Sequence, residues 1–230
     1  MFSVGTRWNP MQAKLRELLK KEAEFDEAKA LLLLMHAMLH TKEVSKASEP
    51  TLMDEVWENL TTDTYGAMPA ADDVTIAWNI WHITRIEDIT ANLLISNEKQ
   101  VLNDAWLKKL HTAVTDTGNA MTDEQILSFS KETDLQALRA YRNDVGKRTR
   151  SILSSLTAKD LKRKFRKEQV NRILLEGGVI EHPDSIWLLD FWGRKNVAGI
   201  LLMPITRHQM GHLNDCLKLK EKCVRREKAK

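Results

Sequence analysis

The stretch VTIAWNIWHITRIEDITANLLIS, Val74 to Ser96, constrains this chain more than any other. It contains neither Gly nor Pro, the two residues most costly in a helix interior. Ile76, Ile80, Ile83, Thr90 and Leu94 fall on one helical stripe, and Trp78, His82, Ile86, Ile89 and Leu93 on the adjoining one. A helix apolar over so wide an arc is stable only when other helices cover it. The pattern therefore predicts a core helix with neighbours on more than one side.

Those neighbours can be sought along the rest of the chain. From about Asn9 to Lys46 the sequence reads as one long helix, polar in KLRELLKKEAEFDEAKA and strongly apolar in LLLLMHAMLH. Ser48-Glu49-Pro50 has the form of a restart, with Ser as cap and Pro in the first turn. A short helix, TLMDEVWENL, follows, and Asp72 or Asp73 stands where it can cap the core helix. Residues 100 to 130 read as short helices and connections, with Thr122 and Gln125 spaced as a capping box. Residues 132 to 156 predict another long helix, and Thr157 to Asp160 a second cap signal. Glu176 to Ser185, EGGVIEHPDS, is the clearest break, short enough to join elements of one domain. Gly193 marks a turn before the final helix, which Pro204 should kink. No strand-like alternation persists. The expectation is an all-α chain: a four-helix bundle with short accessory helices, one domain over residues 1–230, and a basic tail over about 218–230.

Charge is unevenly distributed. The net charge of +3 arises from two basic segments, Lys159 to Arg172 and Lys218 to Lys230; the remainder is acidic. Single-strand nucleic-acid platforms interleave aromatics with basic residues, and Phe165 is the only aromatic in either segment. The expectation is solvated helix ends rather than a nucleic-acid surface. The amino terminus shows no apolar stretch followed by a small-residue cleavage site. The longest apolar run, Ala30 to Met35, falls far short of the ~20 residues that cross a bilayer. A cytoplasmic protein without a membrane partner is expected. Cys216 and Cys223 lie seven apart on one helix, roughly 10 Å at ~1.5 Å of rise per residue, too far to bridge.

The histidines carry the chemistry. His208 and His212, in RHQMGHL, are four apart and share one helical face, the arrangement a transition metal needs from two imidazoles. They lie on the apolar stripe Leu201, Ile205, His208, His212, Cys216, Leu219, so both should point inward. Buried neutral imidazoles must satisfy a donor and an acceptor each, and a shared metal meets part of that demand. Gln209, Met210 and Gly211 intervene, so the glutamate base of an HExxH protease is missing. His82, inward on the core helix, is the third candidate. Alone it would more often be a hydrogen-bonded core residue than a ligand. His36 and His40 form a competing pair four apart, with His36 open to a supporting role; His111 and His182 receive no assignment.

The segments TIAWNIWHITRIEDI, LRAYRNDVGKRTRSILSSL and MPITRHQMGHLNDC resemble the second, third and last helices of the DinB-like (DinB/YfiT-like) superfamily of metalloenzymes. The resemblance implies a four-helix bundle, often dimeric. It also implies a divalent ion, nickel or zinc, held by one histidine of helix two and two of an HxxxH on helix four. Those positions are His82, His208 and His212. Many members carry HH at the start of the last motif, whereas this chain has Arg207-His208, which leaves the ligand intact and changes the local charge.

The resemblance further implies a metal-dependent enzyme of thiol S-transferase or hydrolase type. Its substrate would be a small molecule, with a low-molecular-weight thiol such as bacillithiol or mycothiol as co-substrate. Arg85, Glu87 and Asp88 are candidates for supporting the site, though a solvated face or a dimer contact is the commoner role. Trp78, Trp81 and Trp192 are candidate pocket walls, with core packing the commoner role. The competing class is a non-catalytic helical binding protein with a structural metal or none.

Overall fold

The computed structural model describes residues 4–70 and 73–228, and among these the chain is all-α. The extended pairing among them is an isolated antiparallel bridge between Lys164 and Asn196.

The amino-terminal region departs from the single helix expected of it. It forms α1 (Asn9–Leu18), a 3-10 turn at Glu22–Glu24, α2 (Phe25–Leu39) and α3 (Lys42–Ser45). One straight helix over this length would extend ~57 Å, beyond any core this chain can build. Folding back instead lets Leu15 and Leu18 of α1 bury with Ala28, Leu32 and Met35 of α2. A second break falls at His40, whose backbone is extended while its side chain stays buried.

Two caps differ from the sequence expectation. α4 (Leu52–Trp57) begins at Thr51 rather than Ser48, in a reciprocal box with Asp54. Pro50 therefore precedes the helix and is not part of its first turn. α5 (Thr62–Gly66) follows, capped by Thr61. The core helix α6 (Ile76–Asp88) is capped by Thr75, whose hydroxyl accepts from Trp78 N at 2.9 Å. Asp73 bonds its neighbour Val74 N instead, and Asp72 lies outside the described residues.

Every residue of α6 except Trp78 is buried, which goes beyond the wide arc that its two apolar stripes predict. Its continuation, Ile89–Ser96, widens to a π-helix. Thr84 in α6, and Thr90 and Asn92 in the π-helix, donate to carbonyls four residues back, which loosens the regular ladder. α7 (Asp104–Leu110) and α8 (Asp123–Glu132) are the short helices expected, and α8 carries the Thr122–Gln125 capping box. Then follow α9 (Leu135–Ser155), α10 (Lys167–Leu175), α11 (Pro183–Gly193), α12 (Val197–Leu202) and α13 (His208–Lys228). α6 packs against α9 and α13, and α2 closes the ring by packing against α9 and α13. That order is consistent with a four-helix bundle, and one apolar cluster runs through it from Trp8 to Leu219.

Pro204 acts as a proline must. Lacking an N–H, it leaves a carbonyl one turn earlier without its donor. The chain absorbs this as a π-helical turn, Met203–Arg207, between α12 and α13. Side chains bond carbonyls around this turn. Thr206 Oγ1 donates to Leu201 O at 2.8 Å, Gln12 Nε2 to Leu202 O at 2.9 Å, and Gln209 Nε2 to Pro204 O at 3.1 Å.

In the basic tail, Lys220 donates to the carbonyls of Glu55, Val56 and Glu58 at the end of α4. This supplies a positive charge where a helix exposes unpaired carbonyls. Among the described residues no helix is long and apolar enough to cross a membrane.

Candidate metal centre

His82 sits in the middle of α6, and His208 and His212 on the first two turns of α13, immediately after the π-turn. The packing of α6 on α13 brings the three rings together. Centroids lie 5.0 Å apart for His82–His208, 4.8 Å for His82–His212 and 4.5 Å for His208–His212. One ring nitrogen from each lies within 4.8 Å of the others, and His82 Nε2 is 3.2 Å from His208 Nε2. Ligand nitrogens on a tetrahedral ion with bonds of 2.0–2.1 Å stand about 3.3 Å apart. The cluster has the dimensions of a metal site.

Outer hydrogen bonds set the rings. His82 Nδ1 donates to Thr117 O at 2.8 Å, and His212 Nδ1 donates to Asn79 Oδ1 at 2.6 Å. Asn79 is itself oriented, since its Nδ2 donates to Thr75 O at 3.0 Å. With both protons on Nδ1, the Nε2 lone pairs of His82 and His212 are left for the cluster. A partner on the far nitrogen is the usual means of fixing the tautomer of a metal-binding histidine. His208 Nδ1 is buried without a hydrogen-bond partner among the described residues.

The loop before α8 was not singled out by its sequence, yet it supports the whole face of α6. Four successive carbonyls accept from four α6 side chains. Thr115 O takes Arg85 Nε, Asp116 O takes Trp81 Nε1, Thr117 O takes His82 and Gly118 O takes Trp78 Nε1. Trp78 then stacks on His82, with centroids 4.6 Å apart and planes inclined by 9°. Gly118 has φ of +75°, and a Cβ there would meet Trp78 Nε1 at 2.9 Å. The available signal was the turn-forming run Asp116-Thr117-Gly118-Asn119, closed by Gly118 N on Asp116 Oδ1 at 2.7 Å.

Burial keeps all three imidazoles neutral. It pushes His82 down to about 3, assisted by His212, against the opposing bond to Thr117. Burial likewise holds His208 well below the usual range, with His82 and His212 adding to it. His212 is lowered by burial against the pull of Asp215. The neutral ring is the form that binds metal.

A cleft of about 150 Å³ opens onto His82 and His208. Its walls are mainly apolar: Trp187, Phe191 and Trp192 from α11, with Met203 and Pro204 from the kinked turn. Trp192 therefore lines a pocket and Trp78 supports a ring, whereas Trp81 is packed in the core against Phe129 and Tyr141. Trp187 and Phe191 were not among the candidates.

The solvated face or dimer contact expected of Arg85, Glu87 and Asp88 is overturned, because all three side chains are fully buried. Asp88 accepts from Val101 N, Leu102 N, Tyr141 and Arg85 at 2.7 to 2.9 Å. It thus fastens the chain after α6 to the bundle. Glu87 faces His36 and His40, apart from the three-histidine cluster. His111 occupies the left-handed C-cap of α7, and His182 caps α11. Cys216 and Cys223 are buried and not joined in a disulfide.

Residues 48–216 match the sequence model of the DinB superfamily, a span that includes His82, His208 and His212. The chain belongs to that superfamily. No curated protein matches it.

Proposed function

We propose that this DinB-superfamily protein is a metal-dependent enzyme holding a divalent ion, nickel or zinc, on the Nε2 atoms of His82, His208 and His212. The carrying observation is that His82 and His212 each have Nδ1 committed to an outer acceptor, leaving Nε2 turned to the cluster. Three neutral imidazoles form a donor set suited to a catalytic ion, with a further position for water or substrate. When bound, such an ion acts as a Lewis acid and lowers the pKa of a coordinated water or thiol.

The protein's own residues do the rest. Thr117 and Asn79 hold two rings in their binding tautomers, and Trp78 fixes the plane of His82. The α11 aromatics supply a water-poor wall against which an apolar part of a small substrate can rest. We place the reaction in the thiol S-transferase or hydrolase class, acting in a homodimer. Family membership supports this class, and so does a site open at one side to a cleft.

The test begins with elemental analysis of tag-free protein, as wild type and as His208→Ala/His212→Ala. About one ion per chain bound through these residues, lost in the variant, supports the reading. Transfer from low-molecular-weight thiols and hydrolysis of small esters and amides are then assayed with the loaded protein. If wild type takes up neither nickel nor zinc, the non-catalytic alternative replaces the enzyme reading.

A further inference from the structure

A second cluster lies deeper in the bundle. His36, in the last turn of α2, and His40, at its C-cap, stack with ring centroids 4.2 Å apart. Glu87 of α6 faces both, and the three side chains are sealed at 0, 1 and 0 % exposure. His36 Nε2 and His40 Nε2 stand 3.3 and 3.1 Å from the same oxygen, Glu87 Oε1. Space for this is made on α9, where a Cβ at Gly146 would come within 2.4 Å of His40 Nδ1.

Hydrogen bonding accounts for little of the arrangement. His40 Nε2 approaches Oε1 without forming a hydrogen bond, and among the described residues His40 Nδ1, His36 Nδ1 and Glu87 Oε2 also have none. Arg142 Nη1 is 3.5 Å from Oε2, an ion pair only. Its guanidinium donates elsewhere, to Leu39 O, Gln209 Oε1, Thr84 Oγ1 and Met53 Sδ. A buried carboxylate offers about four acceptor positions, and among the described residues this one is met by His36, with His40 Nε2 beside it at 3.1 Å. So many unmet groups in one sealed cluster are a cost the fold must offset.

Two imidazoles and a carboxylate bind zinc in sites that keep a fourth position, and here Glu87 Oε2, which has no hydrogen bond among the described residues, is available to fill it. Ligand atoms on a tetrahedral ion stand about 3.3 Å apart, close to both separations from Oε1. We propose that His36, His40 and Glu87 form a second divalent-metal site, structural in role, that ties the end of α2 to α6. It stands independently of the three-histidine site.

The two sites differ in access, and this makes the test decisive. His208 and His212 are partly exposed, whereas the second site is closed on every side. Protein produced in zinc-supplemented medium would be analysed for metal before and after dialysis against a chelator. Wild type, His208→Ala/His212→Ala and His36→Gln/His40→Gln would be compared, with circular dichroism as the check on folding. The expected result is two ions per chain in wild type and one in each double variant. The chelator should remove one wild-type ion readily and the other only on unfolding in guanidinium. Zinc X-ray absorption of His208→Ala/His212→Ala should report two imidazoles and an oxygen donor.

A single wild-type ion, lost in His208→Ala/His212→Ala, overturns the second site and leaves the proposed enzyme standing. A single ion retained in that variant and lost in the other supports the second site and removes the first. No ion in wild type overturns both. Glu87 and Arg142 would then be a charge-balanced pair in a polar core. Should His36→Gln/His40→Gln fail to fold, Glu87→Gln takes its place, and the count in His208→Ala/His212→Ala still decides.

Discussion

Asn79 and His212 meet across the α6–α13 interface at 2.6 Å, and through that bond α6 sets the tautomer of a ring on α13. Replacing Asn79 by Ala leaves the ring free to rotate and to move its proton. Loss of such an outer partner typically costs about 10- to 100-fold in metal affinity. Competition titration of nickel or zinc against a chromophoric chelator should show a loss of that size with the helical spectrum unchanged. An unchanged affinity would mean that Asn79 does not orient the ligand.

Gly118 connects backbone strain to the same site. A Cβ there is disfavoured by the positive φ and by its contact with Trp78 Nε1. Gly118→Ala should displace the carbonyls of Thr117 and Gly118, loosening His82 and the tryptophan stacked on it. The expected outcome is a melting temperature lower by several degrees, since about 1 kcal/mol moves a domain of this size by about 2–4 °C. Metal affinity should fall together with it. A thermal melt and a metal titration on the same preparation check both.

Pro204 tests whether the π-turn aims the final helix. Pro204→Ala restores an N–H and allows a regular helix, which would rotate His208 and His212 relative to His82. Metal affinity is expected to fall even if thermal stability is kept or raised. Full affinity in the variant would remove the kink from the mechanism.

The metal-free protein should be acid-sensitive in a defined window. Burial pushes His82 and His40 each down to about 3, and holds His208 and His212 below their ordinary range. Histidines in the unfolded chain titrate near about 6.5. Between those values the unfolded state binds more protons, so stability rises with pH. The contribution is complete above about 6.5 and is lost progressively as pH falls toward 3. Urea unfolding of metal-free protein should therefore show a clearly lower midpoint at pH 5 than at pH 7.5. Equal midpoints would mean that these rings are not held neutral by the fold.

Where the sequence misleads, the reason is specific. Apolar residues continue at helical spacing through Lys20 and Lys21, so periodicity alone carries one helix from Asn9 to Lys46. The fold breaks it because α1 gains more by packing on α2 than by extending it. Arg85 and Asp88 carry charges that usually face water. They are buried because their partners, Tyr141, Gln100 and the amides of Val101 and Leu102, arrive from elsewhere in the chain. Ser48 was a plausible cap, but Thr51 has the residue that completes the box, Asp54, three places on.

The sequence by itself determined whatever depends on position along one helix. His208 and His212 share a face because four residues make about one turn, and α6 is buried over a wide arc because its apolar stripes adjoin. Pro204 had to disturb the helix that contains it. Tertiary structure decided everything that needs two segments at once. It chose Thr117 and Asn79 as the acceptors that fix His82 and His212, set the α11 aromatics over the cluster, and turned Glu87 toward His36 and His40. The physical reason is that helical periodicity sets the direction of a side chain about its own axis. The group it meets depends on how separate helices pack.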